Sequence, residues 1–315
     1  DDMFNAAVVS FGSFGFIHGI LIETEPIFLL EQYRTGNIIY NDDLKKAINN
    51  LDFSGILDEL PAPPVAPDKE MYHFEILVNL QMFEPDNPQK GVYFKTMYKT
   101  PYHDDYTKIT TDDKGFTYGD DLLGVVEKVL DTIGSDLSSL LIPGIVNKLF
   151  PLAFTANVSM TGTIGETFSN TKFRGKAASA AIGVHTTNAS TVLEEIVAIN
   201  KVTPFAGALA LRYVKGTEAL LGFTHFDKTC VMELDGVDSQ LSRTFIQKVW
   251  ARLDELSIPF TMHWGKFNFG LTPELLNKMY GDNLTKWKAC RNSLLSDAAK
   301  KVFTNNFMVQ CGLNI

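Results

Sequence analysis

The sequence predicts an α+β fold: one wide antiparallel sheet with helices on one face, built from two degenerate halves. Three observations predict it. The second half alternates period-two and period-3.6 apolar patterns in the order strand, helix, strand, strand, helix, strand. The first half shows a looser strand, helix, strand, strand, helix series. The chain has 315 residues, 45% of them apolar and 11% aromatic, which suits two modest domains or one large domain with an inserted lobe and fills a sizeable core.

Taken in order, Ser10-Phe-Gly-Ser-Phe-Gly is a glycine-punctuated turn, and Phe16 to Thr24 reads as a strand before Pro26. The glycine pattern is not G-x-G-x-x-G, so no dinucleotide fingerprint is read here. Ile27 to Tyr33 continues as a strand, and Asn41-Asp-Asp opens a helix with a capping side chain and acidic first turn. Leu60 to Pro67 is a proline-rich connector. Met71–Phe83 and Gly91–Lys99 alternate as strands around a Pro85–Pro88 turn. Asp120 to Phe150 turns helical, with a stop at Gly134 and an interruption at Pro143. Thr155 to Lys176 reads as a long polar loop carrying Glu166, Asn170, Lys172 and Arg174.

The second half is the more regular. Strands are expected at Ala177–His185, Gly207–Val214, Thr229–Leu234 and Ile258–Met262, with helices at Ser190–Asn200 and Val237–Ser257. This is the ferredoxin-like split unit. The tail from Thr272 is helical, starting with a Thr cap and Pro at the first helical position.

The composition excludes several functions. The net charge of −9 and the lack of an RNP-like aromatic motif count against nucleic acid, including the RNA-binding use of a ferredoxin-like sheet. No apolar run reaches 18 residues, so no membrane span is expected. Cys230, Cys290 and Cys311 have neither disulfide-frame nor metal-ligand spacing. They read as reduced thiols and favour a cytoplasmic setting. Asp1-Asp-Met-Phe reads like the middle of a protein, so the missing targeting signal says little.

Two places carry chemistry. Ile258–Met262 ends in His263, Trp264, Gly265, Lys266 and, shortly after, Asn268. A strand tip of this kind delivers a titrating group, a fixed charge and an amide to a site; the plain alternative is a core histidine and a solvated lysine. On Gly207–Val214, alternation puts Ala208, Ala210 and Arg212 on one face. Arginine keeps its proton, so Arg212 needs an anion: a structural ion-pair partner such as Glu233, or a substrate.

Leu209-Ala-Leu-Arg-Tyr-Val, Ile-Pro-Phe-Thr-Met-His263-Trp-Gly-Lys266, Tyr280-Gly, Trp287, Arg291 and Phe303-Thr-Asn together resemble the C-terminal part of FAD-linked oxidases of the vanillyl-alcohol oxidase type, in the aldonolactone, alditol and sterol oxidase branch. Ser10-Phe-Gly-Ser-Phe-Gly-Phe-Ile is similar to the turn that closes the family's FAD-binding domain. The resemblance implies FAD as cofactor and an alcohol oxidase or dehydrogenase that passes hydride to flavin. It implies residues 1–26 as the end of the FAD-binding domain, 27–257 as a substrate cap and 258–315 as a return to the FAD-binding domain. The N-terminal FAD-binding half, on the same or a separate chain, would then be a missing partner. Lys266 would meet the flavin N1/C2 edge, with Asn268, Gly12, Ser13 and Gly15 as further cofactor contacts. His263 and Arg212 would complete the catalytic set. The family's Glu-x-Arg glutamate position is Ala210 here, and the substrate-contact positions on the next strand read as Met232 and Leu234. That lining implies a relatively apolar, sterol-like alcohol, with a sugar lactone or alditol as the alternative. A catalytically silent binding module on the same scaffold is the rival that Ala210 favours.

Overall fold

The computed structural model describes residues 1–36, 38–56, 58, 60, 71–83, 91–109, 132, 135–154, 156, 158–168 and 177–314. The proline-rich connector beyond Leu60, the Pro85–Pro88 turn, nearly all of the helix expected over 120–133, and Asn170, Lys172 and Arg174 lie outside the described residues.

Eight strands form one antiparallel sheet: β1 (Phe28–Thr35), β2 (Met71–Val78), β3 (Val92–Pro101), β4 (Val158–Gly162), β5 (Ala177–His185), β6 (Gly207–Lys215), β7 (Lys228–Val237) and β8 (Phe260–Met262). Their spatial order is β4-β1-β3-β2-β6-β7-β5-β8. Each half therefore repeats one arrangement, its fourth strand outermost and its second strand at the centre of the whole sheet. The halves join edge to edge where Glu75 pairs with Arg212 and Val78 with Leu209.

Helices α2 (Asp42–Asn50), α5 (Ala189–Val202) and α6 (Gln240–Glu255) belong to the core on one face of the sheet. Leu209, Leu211, Met232, Leu234, Ile76 and Phe94 point into that core with Leu44, Ile196 and Phe245. Period-two alternation sends Arg212, Glu233 and Glu75 to the opposite face. The caps follow the sequence: Asn41 accepts from the Leu44 amide at 2.9 Å, and Ser239 from Ser242 at 3.2 Å. Helix α6 starts at Gln240 rather than Val237, because Val237 still pairs with Ala177 on β5.

Three expectations are corrected. Phe16 to Thr24 joins no strand ladder; Phe16, Ile17, Ile20, Leu21 and Ile22 are exposed, Leu21 completely. Helix α3 (Ser135–Ala153) runs through Pro143 and Pro151, held by Ile142 and Val146 packing on Ala206 and Val237. The expected loop from Thr155 contains β4 and a short helix α4 (Ile164–Phe168). Thr163 and Glu166 form a reciprocal capping box there: the Thr163 amide donates to Glu166 at 2.8 Å, and the Glu166 amide to the Thr163 hydroxyl at 3.3 Å.

The two ends of the chain pack together. Helix α1 (Asp2–Ala7) lies on α8 (Asp282–Leu294), which follows α7 (Pro273–Tyr280); α9 (Asp297–Val302) and α10 (Asn306–Gln310) complete the tail. The fully buried Trp287 donates its indole N–H to Ala6 and Val9 carbonyls at 3.0 and 2.9 Å. Arg291, also buried, donates to the Ser13 carbonyl at 3.3 Å and to Thr304 at 2.9 Å. Among the described residues no helix is long and apolar enough to cross a membrane.

Candidate functional site

The site begins where β8 ends. The His263 amide donates to Ala181 at 2.9 Å and the Phe267 amide to Ser179 at 2.8 Å. Between these two bonds to β5, residues 264–266 swing out from the sheet. Trp264 pins the excursion, donating its indole N–H to the Leu221 carbonyl at 2.7 Å and stacking on Tyr280. Phe11, from the glycine-rich turn, meets Trp264 edge-on at 4.7 Å. The two stretches singled out in the sequence thus touch, although they lie at opposite ends of the chain.

Lys266 reaches from this loop over the sheet face opposite the main core, a face that is not bare as expected: Phe168 of α4 packs on His73 and Lys95 there, and Phe150 of α3 on Tyr93. Its Nζ lies 2.9 Å from Glu233 Oε1 and 3.8 Å from Asp235. The other Glu233 oxygen accepts from Arg212 Nη1. Arg212 also donates through Nε and Nη2 to Glu75 Oε1, at 3.0 and 2.9 Å. Glu75 is then approached by Lys95 at 3.3 Å and His73 at 3.4 Å. Ser179 closes the far end, its hydroxyl donating to Asp235 at 2.5 Å. The result is a ribbon of alternating charge: Lys95, Glu75, Arg212, Glu233, Lys266, Asp235.

Burial tunes these groups. Burial alone would raise the Glu75 carboxyl, but Lys95, the His73 hydrogen bond and Arg212 outweigh it and hold the carboxyl well below the usual range. Burial would lower Arg212; Glu75 and Glu233 together raise it. Asp235 goes the other way, its carboxyl raised by burial despite Lys266 and the Ser179 bond. His263 is lowered, first by burial and then by Lys266. Its Nδ1 accepts the Gly265 amide at 3.0 Å, which assigns the neutral ring's proton to Nε2.

Arg212, Lys266, His263 and Ala210 are brought to one region. Met232 and Leu234 are not: they are 0% and 2% exposed, in the core on the opposite face. They cannot line a site shared with Arg212, and the apolar-substrate expectation loses its basis. Ser13 is also turned inward, fully buried with its hydroxyl donating to Ser10 at 2.6 Å, so it presents no donor to a cofactor. Gly12 and Gly15 answer to positive φ, 69° and 117°; neither makes a close approach, since a Cβ there would meet nothing within 4 Å. Asn268 donates to the Trp264 carbonyl at 3.1 Å and shapes the loop.

Glu75, Lys95, Asp235 and Ser179 were not singled out by sequence reasoning. Asp235 shares the parity of Glu233 on one strand, whereas Glu75, Lys95 and Ser179 lie on other strands. The strand pairing needed to align them was not visible. Among the described residues, no cluster of ligand side chains could hold a metal ion.

The arrangement defines a class: an α+β protein with a wide antiparallel sheet bearing a charged cluster on the face opposite its main core. No family model matches the chain, and no curated protein does. Among solved structures it is similar to berberine bridge enzyme from Eschscholzia californica, at 11% identity and a TM-score of 0.39. A glycine-to-alanine variant of that enzyme, described as a reticuline dehydrogenase, gives 11% and 0.41; a cysteine-to-alanine variant gives 12% and 0.37. Each match covers 88% of this chain and 54% of the other. The chain thus spans about half the length of these structures.

Proposed function

We propose that the chain is the substrate-side portion of an FAD-dependent oxidoreductase that oxidises an alcohol CH–OH group. The observation carrying this reading is that Arg212 and Lys266, remote in sequence, meet on the single carboxylate of Glu233 on the sheet face opposite the main core. Flavin, when bound, supplies the two-electron acceptor for the alcohol's hydride. The chain's residues fit one edge of it. An ammonium has three N–H donors; Glu233 takes one from Lys266 at 2.9 Å, leaving donor capacity and a fixed positive charge for an electron-rich carbonyl edge. Arg212 holds Glu233 in place, and His263 offers its Nε2 hydrogen to a substrate oxygen.

The charged face supports a hydroxyl-rich alcohol, of the alditol or sugar-lactone kind, over a sterol. A hydroxyl-rich ligand can replace the water on the partly exposed Arg212 and Asp235, at 37% and 41%, whereas an apolar one would strip it without replacement. The rival reading of a silent binding module rested on Ala210. It is weakened because Glu233, the register partner of Ala210, supplies the carboxylate from the next strand.

The test is to purify the protein carrying this chain, record its flavin absorbance, and add alditols, sugar lactones and sterols under anaerobic conditions. Bleaching by a hydroxyl-rich alcohol is expected. Absence of flavin, together with no response to added FAD, overturns the reading.

A further inference from the structure

Alcohol oxidation needs a group that removes the hydroxyl proton, and the ribbon offers few. Glu75 has a side chain only 3% exposed, engaged by Arg212, Lys95 and His73. Glu233 is 11% exposed, with each oxygen committed to a cation. His263 has its Nδ1 occupied by the Gly265 amide and its proton on Nε2, so it cannot accept another. His73 lies two strands from β7, under the Phe168 ring and beside Glu75. Asp235 differs: its side chain is 41% exposed, its near cation stands at 3.8 Å, and one hydroxyl hydrogen bond orients it. Its register partners are Ala208 and Ser179, both small, so neither covers its carboxylate with a long side chain.

We propose that Asp235 is the base of the reaction. This rests on the oxidoreductase reading above. The substrate O–H proton passes to the Asp235 carboxylate as the C–H bond breaks. Its electron pair leaves as hydride for the bound flavin, and the carbinol carbon becomes a carbonyl. The alcohol is oxidised by two electrons and the flavin reduced by two. Ser179 acts as a positioning residue, fixing the carboxylate through its 2.5 Å bond. The charged groups facing Asp235 are Lys266 from the loop after β8, Arg212 from β6 and Glu233 on its own strand. Burial and Glu233 raise its carboxyl while Lys266, Ser179 and Arg212 restrain it, which brings its proton affinity toward that useful in a base.

Two measurements test this. In a carboxyl-carbon NMR titration, Asp235 is expected above the ordinary 3.8 of an aspartate, and higher still in Ser179→Ala. In anaerobic bleaching by alcohol, Asp235→Asn should lose about a hundredfold or more in rate while keeping the flavin spectrum. Ser179→Ala should shift the acid limb of the pH–rate profile upward. An Asp235→Asn protein that binds flavin and bleaches at the wild-type rate overturns the assignment alone, as does an Asp235 that titrates at or below 3.8. A wild-type protein without flavin overturns both this assignment and the reading beneath it.

Discussion

Ala210 and Glu233 face each other across β6 and β7 as register partners, and the small side chain lets the large one reach Arg212 diagonally. The Arg212–Glu233 pair, and not either residue alone, organises the face.

Glu233→Ala should leave Arg212 and Lys266 without their shared anion. Because Arg212 is 37% exposed, the cost should fall between that of a surface pair and a buried one, about 2 kcal/mol. Urea unfolding measures it. Arg212→Met combined with Glu233→Leu should not recover the loss, since it also takes Arg212 from the buried Glu75.

Glu75 gives a pH signature. Its folded carboxyl is held below the 4.5 of an unperturbed glutamate. Its stabilisation is therefore fully present above 4.5 and is lost as pH falls below that value toward the folded one. Urea midpoints between neutrality and strong acid should decline less steeply in Glu75→Gln than in the wild type.

His263 should titrate below 6.5, since burial and then Lys266 both disfavour its charged form. In Lys266→Met, imidazole NMR should show that midpoint moving up. No movement would separate Lys266 from His263 electrostatically.

Trp287→Ala removes a fully buried indole and both of its bonds to the N-terminal segment. The expected loss is about 4 kcal/mol. Hydrogen exchange should quicken first in Asp1–Ser13, ahead of the sheet strands.

Strands β5, β6 and β7 and the Asn41 cap of α2 were legible because apolar period and capping side chain agreed with what the backbone requires there. The Thr163–Glu166 capping box has the required spacing in the sequence, but the polar composition around it reads as loop, so it was missed. Phe16–Thr24 misled because an unbroken apolar run looks alike whether or not a neighbour exists to pair with it. At the site, Arg212 stood out as an arginine beside two alanines on one strand face and Lys266 as a cation just past a strand end, whereas the partners that bind them depend on register. Met232 and Leu234 were misplaced for a simpler reason: they have the opposite parity from Glu233 on one strand, and parity assigns them to the helix side.

The run from Phe16 to Ile22 bears on handling of the chain. Five large apolar side chains stand in water there, in a segment outside any sheet. Surfaces of that kind make a polypeptide adhesive toward its own copies. Light scattering should grow with concentration, and charged replacements at Ile20 and Leu21 should suppress it without disturbing the fold.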